Sequence, residues 1–134
     1  MSEIFVTDTH PLVFWAADNL RKFGRKARAA FEAMEANRAT IYVPAVVSLE
    51  VWFLSENRTV KLETGLREWW SKIESGHLVM VENTHEDVLS AFDLAWDHKD
   101  KFDRMIVQTA LRLSVPLITA DSAITEWGGV DVVW

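Results

Sequence analysis

Short, continuously apolar segments alternate with longer segments of helical character along the whole chain, and this alternation limits the fold more than any other feature. The apolar, β-branched segments predict strands at residues 4–6, 41–43, 77–81, 116–119 and 130–133. Between them, the sequence predicts helices at residues 11–17, 25–36, 46–55, 63–74, 84–96, 102–113 and 122–127. Uninterrupted apolar strands are typical of parallel sheets covered on both faces. We therefore predict a three-layer α/β domain with a mainly parallel sheet of four or five strands.

The composition excludes several classes of protein. A chain of 134 residues, 49% hydrophobic and 25% charged, is expected to form one folded domain over residues 1–134. The absence of cysteine excludes disulfides, thiolate zinc sites and cysteine nucleophiles. No apolar run is long enough for a membrane span, and the first nine residues lack the features of a secretion signal. We therefore expect a cytoplasmic protein without a membrane association.

The charge distribution is acidic overall but contains one basic stripe. The net charge of −6 argues against general nucleic-acid binding. Five basic residues nevertheless fall within eight positions without an acid among them: Arg21, Lys22, Arg25, Lys26 and Arg28. This basic stripe is either a solvated helix face or a contact for phosphate or for an acidic partner segment.

Two aspartates follow predicted strands. Asp8 ends the first strand, and Asp121 follows the strand at residues 116–119. Either one alone is explained as a turn former or a helix cap. Because ligands of such sheets bind outside the carboxyl ends of the strands, the two together indicate a site at that edge.

Two further acids lie in predicted helices. Glu50 is surrounded by apolar residues on a helix that must be buried, so its carboxylate needs a salt bridge to an arginine, a hydrogen bond or a metal ion. Asp103 begins an apolar helix, where capping is the simple alternative, and Asp100 precedes it in the same loop. If Asp8, Glu50, Asp103 and Asp121 converge, they require cations, and an oxygen-only ligand set favours Mg²⁺ or Mn²⁺.

Four segments that carry these acids resemble the motifs of VapC-like PIN-domain ribonucleases, the toxins of type II toxin–antitoxin pairs. They are Thr7-Asp8-Thr9-His10, Ser48-Leu49-Glu50, the stretch from His98 to Val107, and Thr119-Ala120-Asp121 with the end of the chain. They occur in the family's order and at matching intervals. Lys101 departs from the proline that many relatives have, and residues 108–110 vary a usually small-residue run, but neither change removes an acid.

The resemblance implies a PIN-like α/β/α domain, Mg²⁺-dependent endonucleolytic cleavage of RNA, a homodimer, and inhibition by a cognate antitoxin. It makes Asp8, Glu50, Asp103 and Asp121 the catalytic acids. We expect Asp8 and Asp103 to be metal ligands, and Asp121 to bind a second ion or to accept hydrogen bonds behind the ligands. We expect Glu50 to orient or deprotonate the attacking water.

Other residues are expected to support the site. Thr7, Thr119 and Asp100 are candidates for hydrogen bonds that hold the acids, although strand propensity alone explains a threonine. Arg104, Arg25 and Lys26 are candidates for contacts with phosphate or antitoxin; for Arg104, a salt bridge within the domain is an equal alternative.

Three other functions remain to be weighed against this one. A haloacid-dehalogenase-like phosphatase also places Asp after its first strand, but it needs a second Asp at position 10, where this chain has His. A phospho-acceptor receiver domain needs a lysine near its last strand, and Thr119-Ala120-Asp121 offers none. A catalytically inactive PIN-like binding module does not need all four acids.

Overall fold

Five parallel strands form the centre of the computed structural model, which describes residues 3–134. Their spatial order is β3-β2-β1-β4-β5, and every neighbouring pair is parallel. The strands are β1 (Glu3–Thr7), β2 (Ala39–Pro44), β3 (Leu78–Val81), β4 (Leu117–Ile118) and β5 (Val132–Val133). The predicted parallel sheet and α/β/α class are confirmed.

Seven helices flank the sheet in the described part of the chain. They are α1 (Thr9–Ala16), α2 (Arg25–Glu35), α3 (Ala45–Glu56), α4 (Leu66–Ile73), α5 (His85–Asp93), α6 (Lys101–Leu113) and α7 (Ser122–Trp127), and a 3₁₀ turn spans Leu20–Lys22. None of the helices in residues 3–134 combines the length and the apolar character needed to cross a lipid bilayer.

The core lies on both faces of the central strands. Val6 of β1, Ile41 of β2 and Leu117 of β4 are fully buried, as a strand covered on both sides requires. Helices α2 and α6 contribute buried apolar faces, represented by Phe31 and Ile106. This packing fixes the carboxyl ends of β1, β2 and β4 next to one another.

Helix α5 begins as predicted but ends earlier than predicted. Thr84 accepts a hydrogen bond from the backbone N–H of Asp87, and the Asp87 carboxylate accepts one from the N–H of Thr84, so the expected capping box is present. The helix ends at Asp93, whereas the sequence predicted residue 96. Residues 94–100 form an irregular loop. Side chains of Arg104 and Trp127 donate hydrogen bonds to its backbone carbonyls and hold it in place.

The last residue caps the start of α2. The backbone N–H groups of Lys26 and Ala27 donate to the carbonyl oxygen of Trp134, at 2.8 and 3.1 Å. A Cβ atom at Gly24 would lie 2.6 Å from the Trp134 carbonyl carbon, so only glycine fits this approach. Trp134 follows β5, which pairs with β4, and the basic stripe therefore lies near the carboxyl edge of the sheet.

Candidate active site

The junction of β1 and β4 carries the first two acids. The N–H of Asp8 donates to the carbonyl of Ile118 at 3.0 Å, which continues the β1–β4 pairing past the end of β1. Thr119 Oγ1 then donates to Asp8 Oδ2 at 2.7 Å and accepts from the N–H of Asp121 at 3.0 Å. One threonine hydroxyl thus connects the two aspartates, as the parallel strand ends predicted.

Asp8 is buried, and each of its carboxylate oxygens accepts one hydrogen bond. Its second oxygen, Oδ1, accepts from the backbone N–H of Thr9 at 2.7 Å at the start of α1. Burial raises the pKa of the Asp8 carboxyl above 3.8, and the hydrogen bonds from Thr119 and Thr9 oppose that rise. The charge of Asp121 adds to it. Asp8 therefore combines the cap role with membership of an acidic cluster.

Glu50 has a hydroxyl as its partner and not an arginine. The α3 helix places it among the buried residues Val47, Val51 and Leu54, with 9% of its surface exposed. Thr9 Oγ1 donates to Glu50 Oε1 in a short hydrogen bond, and Glu50 takes part in no salt bridge within residues 3–134. Burial raises its pKa, and the charges of Asp8 and Asp100 raise it further.

Asp103 lies in the first turn of α6. Its backbone N–H donates to Asp100 Oδ1 at 3.0 Å, so Asp100 and not Asp103 caps the helix. Its Oδ2 lies 2.8 Å from His98 Nε2. Burial raises the pKa of Asp103 to about 6, with His98 opposing the rise and the charges of Asp8, Asp100 and Asp121 adding to it.

Mutual charge effects indicate that the acids lie within electrostatic range of one another. The charge of Asp121 acts on Asp8, that of Asp8 acts on Glu50, and those of Asp8, Asp100 and Asp121 act on Asp103. Asp121 caps α7 through a hydrogen bond from the N–H of Ile124 at 2.9 Å, and it is half-buried. Among the described residues, no lysine or arginine forms a salt bridge with any of the four acids.

The chemistry of these donors fits a hard divalent cation, since all are carboxylate oxygens and three have pKa values raised by burial and by one another. Their positions do not form a ready-made ligand group: across Glu3–Trp134, no three His, Asp or Glu side chains have the arrangement of a metal site. The acids are thus a loose cluster, whose donors fit an ion that is held by one or two carboxylates and keeps several waters.

Arg104 has a structural role, and the partners of its guanidinium count against the expected contact with phosphate or antitoxin. Its guanidinium donates to five backbone carbonyls of the α5–α6 connection, those of Ala91, Phe92, Leu94, Trp96 and His98, at 2.6–3.1 Å. An arginine has five N–H donors, so none is left for a ligand. Arg104 forms no salt bridge among the residues described either; it fixes the loop that ends α5.

The structure also places three other residues that the sequence analysis singled out: Thr7, Arg25 and Lys26. Thr7 is buried, but its hydroxyl donates to the backbone carbonyl of Asp8 and not to a carboxylate. It therefore supports the turn and not the acids directly. Arg25 and Lys26 are exposed in the first turn of α2, where no acid accompanies them.

Sequence reasoning missed two side chains of the site. Thr9 is fully buried and connects two of the acids: its backbone N–H donates to Asp8, and its hydroxyl donates to Glu50 of α3. His98 is partly buried, and its Nε2 lies 2.8 Å from Asp103 Oδ2. The position of Thr9 directly after Asp8 was the only available signal for it, because its partner Glu50 is 41 residues away.

Comparisons with known proteins agree with this architecture. The family model for the PIN domain matches residues 5–129. Among solved structures, a chain of VapBC2 from Rickettsia felis, crystallised with a DNA fragment from its promoter, superposes with a TM-score of 0.68 at 12% identity, covering 96% of both chains. VapC20 from Mycobacterium tuberculosis, described as a toxin that cleaves the sarcin–ricin loop, gives 0.63 at 19% identity, covering 98% of this chain and 100% of that one.

No curated protein sequence matches the chain significantly. The two structural similarities are below 25% identity, so they concern the fold: a VapC-like arrangement of the parallel sheet and its helices. The family match covers almost the whole chain and includes all four acids. The chain therefore belongs to the PIN-domain family.

Proposed function

We propose that this protein is a Mg²⁺-dependent endoribonuclease, in which Mn²⁺ can substitute, and the toxin of a type II toxin–antitoxin pair in the cytoplasm. One observation carries the proposal. Four acids from β1, α3, α6 and the end of β4 face one rim, and three of them have pKa values raised by burial and by their neighbours' charges. Such a cluster is costly unless a cation joins it. Membership of the PIN family and the VapC-like fold add support.

The residues divide the chemistry between them. Asp8, Asp103 and Asp121 are the candidate metal ligands, with Asp121 serving a second ion or accepting hydrogen bonds behind the ligands. A divalent cation held there would neutralise the phosphate and lower the pKa of water. Glu50 orients the attacking water or takes its proton, and its raised pKa suits a general base. Water attacks phosphorus, and the bond from phosphorus to the leaving ribose oxygen breaks.

The decisive experiment measures RNA cleavage by the purified protein with Mg²⁺, with Mn²⁺ and with excess chelator. We expect cleavage only with a metal, and loss of cleavage in Asp8→Asn and Glu50→Gln. Asp131→Asn is a matched control, because Asp131 is exposed and follows no strand of the site. Full activity in chelator would contradict the proposal.

Two alternatives predict different results. A haloacid-dehalogenase-like phosphatase would release phosphate from a small phosphomonoester, yet position 10, where that class needs an aspartate, is His10, which is exposed. An inactive PIN-like binding module would retain RNA affinity without cleavage. The same preparations, assayed for phosphate release and for RNA binding, separate all three functions.

The antitoxin and RNA are proposed to approach from the rim where the basic stripe lies. Arg25 and Lys26 are exposed in the first turn of α2, where positive charge opposes the helix dipole. Two cations at this position are unfavourable for the helix itself, so we propose that they serve an anionic partner, either phosphate or the carboxylates of an antitoxin segment.

A second copy of the chain is proposed to cover an apolar face made by α3, α5 and α6. The side chains exposed on this face are 50–81% accessible, with Phe92 at 81%: Leu49, Trp52, Phe53, Val88 and Phe92. Leu49, Val88 and Phe92 line a groove of about 740 Å³. Trp52 and Phe53 line a smaller one of about 210 Å³, where Phe53 contacts Phe102. Using ~150–250 Å² for an aromatic side chain, the exposed parts of these exposed side chains together amount to roughly 500 Å².

An exposed apolar patch of that area is near the upper limit for monomeric proteins. It would supply the apolar centre of a standard interface, which buries ~800 Å² on each partner. Sedimentation equilibrium tests the dimer. We expect a dimer for the wild type and a monomer for Phe92→Glu. A monomeric wild type at micromolar concentration would contradict self-association through this face.

A further inference from the structure

A stacked column of aromatic rings ends on one of the catalytic acids. Trp127 stacks on Trp96 with ring centroids 4.9 Å apart and planes at 21°, and Trp96 stacks on His98 at 4.3 Å and 11°. The far side of His98 presents Nε2 to Asp103 Oδ2, at 2.8 Å. Both side chains are largely shielded, with exposed fractions of 23% for His98 and 14% for Asp103.

The loop that carries this column is fixed from two sides. Arg104 donates to the carbonyls of Trp96 and His98 themselves, and also to three carbonyls before them. Trp127 Nε1 donates to the carbonyl of Ala95 at 3.0 Å. An irregular loop thereby gains the rigidity of a regular element, and the imidazole has little freedom to leave Asp103.

We infer that His98 is a positioning residue that holds the Asp103 carboxylate in the orientation needed to bind the metal ion. This inference rests on the proposed function. With Nε2 protonated, His98 donates to Asp103 Oδ2, which restrains rotation of the carboxylate and leaves Oδ1 available for an ion. The column of Trp96 and Trp127 sets the plane of the imidazole. Partners that orient a metal ligand in this way typically change metal affinity or activity by ~10–100-fold when removed.

The geometry explains why a histidine stands here. A lysine or arginine at this position would neutralise Asp103 with a full charge and compete with the cation. An imidazole offers one directed donor together with a flat face that stacks on indole. The other acids are oriented by similar neutral donors, since Thr119 donates to Asp8 and Thr9 donates to Glu50.

The test measures Mn²⁺ binding by calorimetry and RNA cleavage for the wild type, His98→Ala and His98→Gln. His77→Ala is the matched control: His77 is also partly buried and lies 3.4 Å from a threonine hydroxyl, but it precedes β3 at the opposite edge of the sheet. We expect His98→Ala to weaken Mn²⁺ binding ~10–100-fold and to lower kcat with little change in KM for RNA. His98→Gln, whose amide keeps a donor, should recover part of both.

The outcomes are separable. A His98→Ala variant that binds Mn²⁺ within about twofold of the wild type, below the ~10-fold expected for a positioning partner, overturns the inference. The inference is also overturned if His77→Ala loses as much Mn²⁺ affinity and cleavage as His98→Ala, or if these losses follow the melting temperature across all variants. A purely structural role of His98 would then explain the results. A wild type that neither binds Mn²⁺ nor cleaves RNA instead refutes the proposed function, and this inference with it.

Discussion

Replacing Asp103 with asparagine is expected to stabilise the protein in the absence of a divalent metal while abolishing cleavage. Burial and the neighbouring acids raise the pKa of Asp103 from 3.8 to about 6. A carboxyl with a raised folded-state pKa binds more protons in the folded than in the unfolded state between these values. The free energy of unfolding is therefore highest at acidic pH and falls as the pH rises from about 4 through about 6.

The magnitude follows from this shift. Two pKa units at 1.36 kcal/mol each correspond to about 3 kcal/mol lost by the ionised carboxylate at neutral pH. Asparagine removes that loss but weakens the contact with His98 and the favourable charge near the start of α6, which is worth ~0.3–1 kcal/mol. A net gain of about 2 kcal/mol corresponds to a rise in Tm of roughly 8 °C for a domain of this size.

Thermal unfolding of both proteins in chelator, near pH 4 and near pH 7.5, measures the effect. The difference in Tm should be largest near neutrality and should disappear in acid, where the wild-type carboxyl is protonated. Mg²⁺ should then raise the Tm of the wild type more than that of Asp103→Asn. An Asp103→Asn variant with a lower Tm than the wild type at neutral pH would refute the reasoning, and so would a Tm difference that does not depend on pH. Asp131→Asn is the control for replacing an exposed aspartate.

Three further changes test other parts of the structure. Gly24→Ala should lower the free energy of unfolding by about 1–3 kcal/mol, because no room exists for its Cβ, whereas Gly76→Ala, with open space around it, should be neutral or slightly stabilising in chemical denaturation. Arg104→Lys should cost about 2 kcal/mol or more and expose the α5–α6 loop to protease, since most of five hydrogen bonds are lost; unchanged proteolysis would contradict its structural role. The double reversal Arg25→Glu and Lys26→Glu should weaken RNA or antitoxin binding and flatten its salt dependence; unchanged binding would leave the stripe as a solvated face.

The strand pattern and the positions of the acids were predictable because they depend on local, periodic properties. Continuously apolar strands imply a parallel sheet, and parallel strands bring Asp8 and Asp121 to one edge. Glu50 was identifiable because a carboxylate inside an apolar helix requires a partner. The partner itself, the Thr9 hydroxyl, was not identifiable, because contacts between residues 41 positions apart leave no trace in local composition.

Long-range contacts also explain the errors. Helix α5 ends at Asp93, where Arg104, eleven residues further along, donates to the helix carbonyls of Ala91 and Phe92. It also donates to the carbonyls of three residues in the loop that follows, Leu94, Trp96 and His98. An arginine beside a candidate catalytic acid suggests a ligand for phosphate, and only the count of its occupied N–H donors indicates another role. Likewise, the aromatic column that meets Asp103 joins residues 96, 98 and 127, which no periodicity connects.

The hydrogen bond between Thr119 and Asp8 spans 111 positions, and it has a consequence for biosynthesis. β1 is the middle strand of the sheet, and one of its two neighbours, β4, is synthesised only after β2 and β3. Until β4 has been made, Asp8 lacks the hydroxyl of Thr119, and Asp121 follows later still. A nascent chain that stops before Thr119 therefore has no complete acidic cluster, so any chemistry that needs all four acids begins only after β4 has joined the sheet.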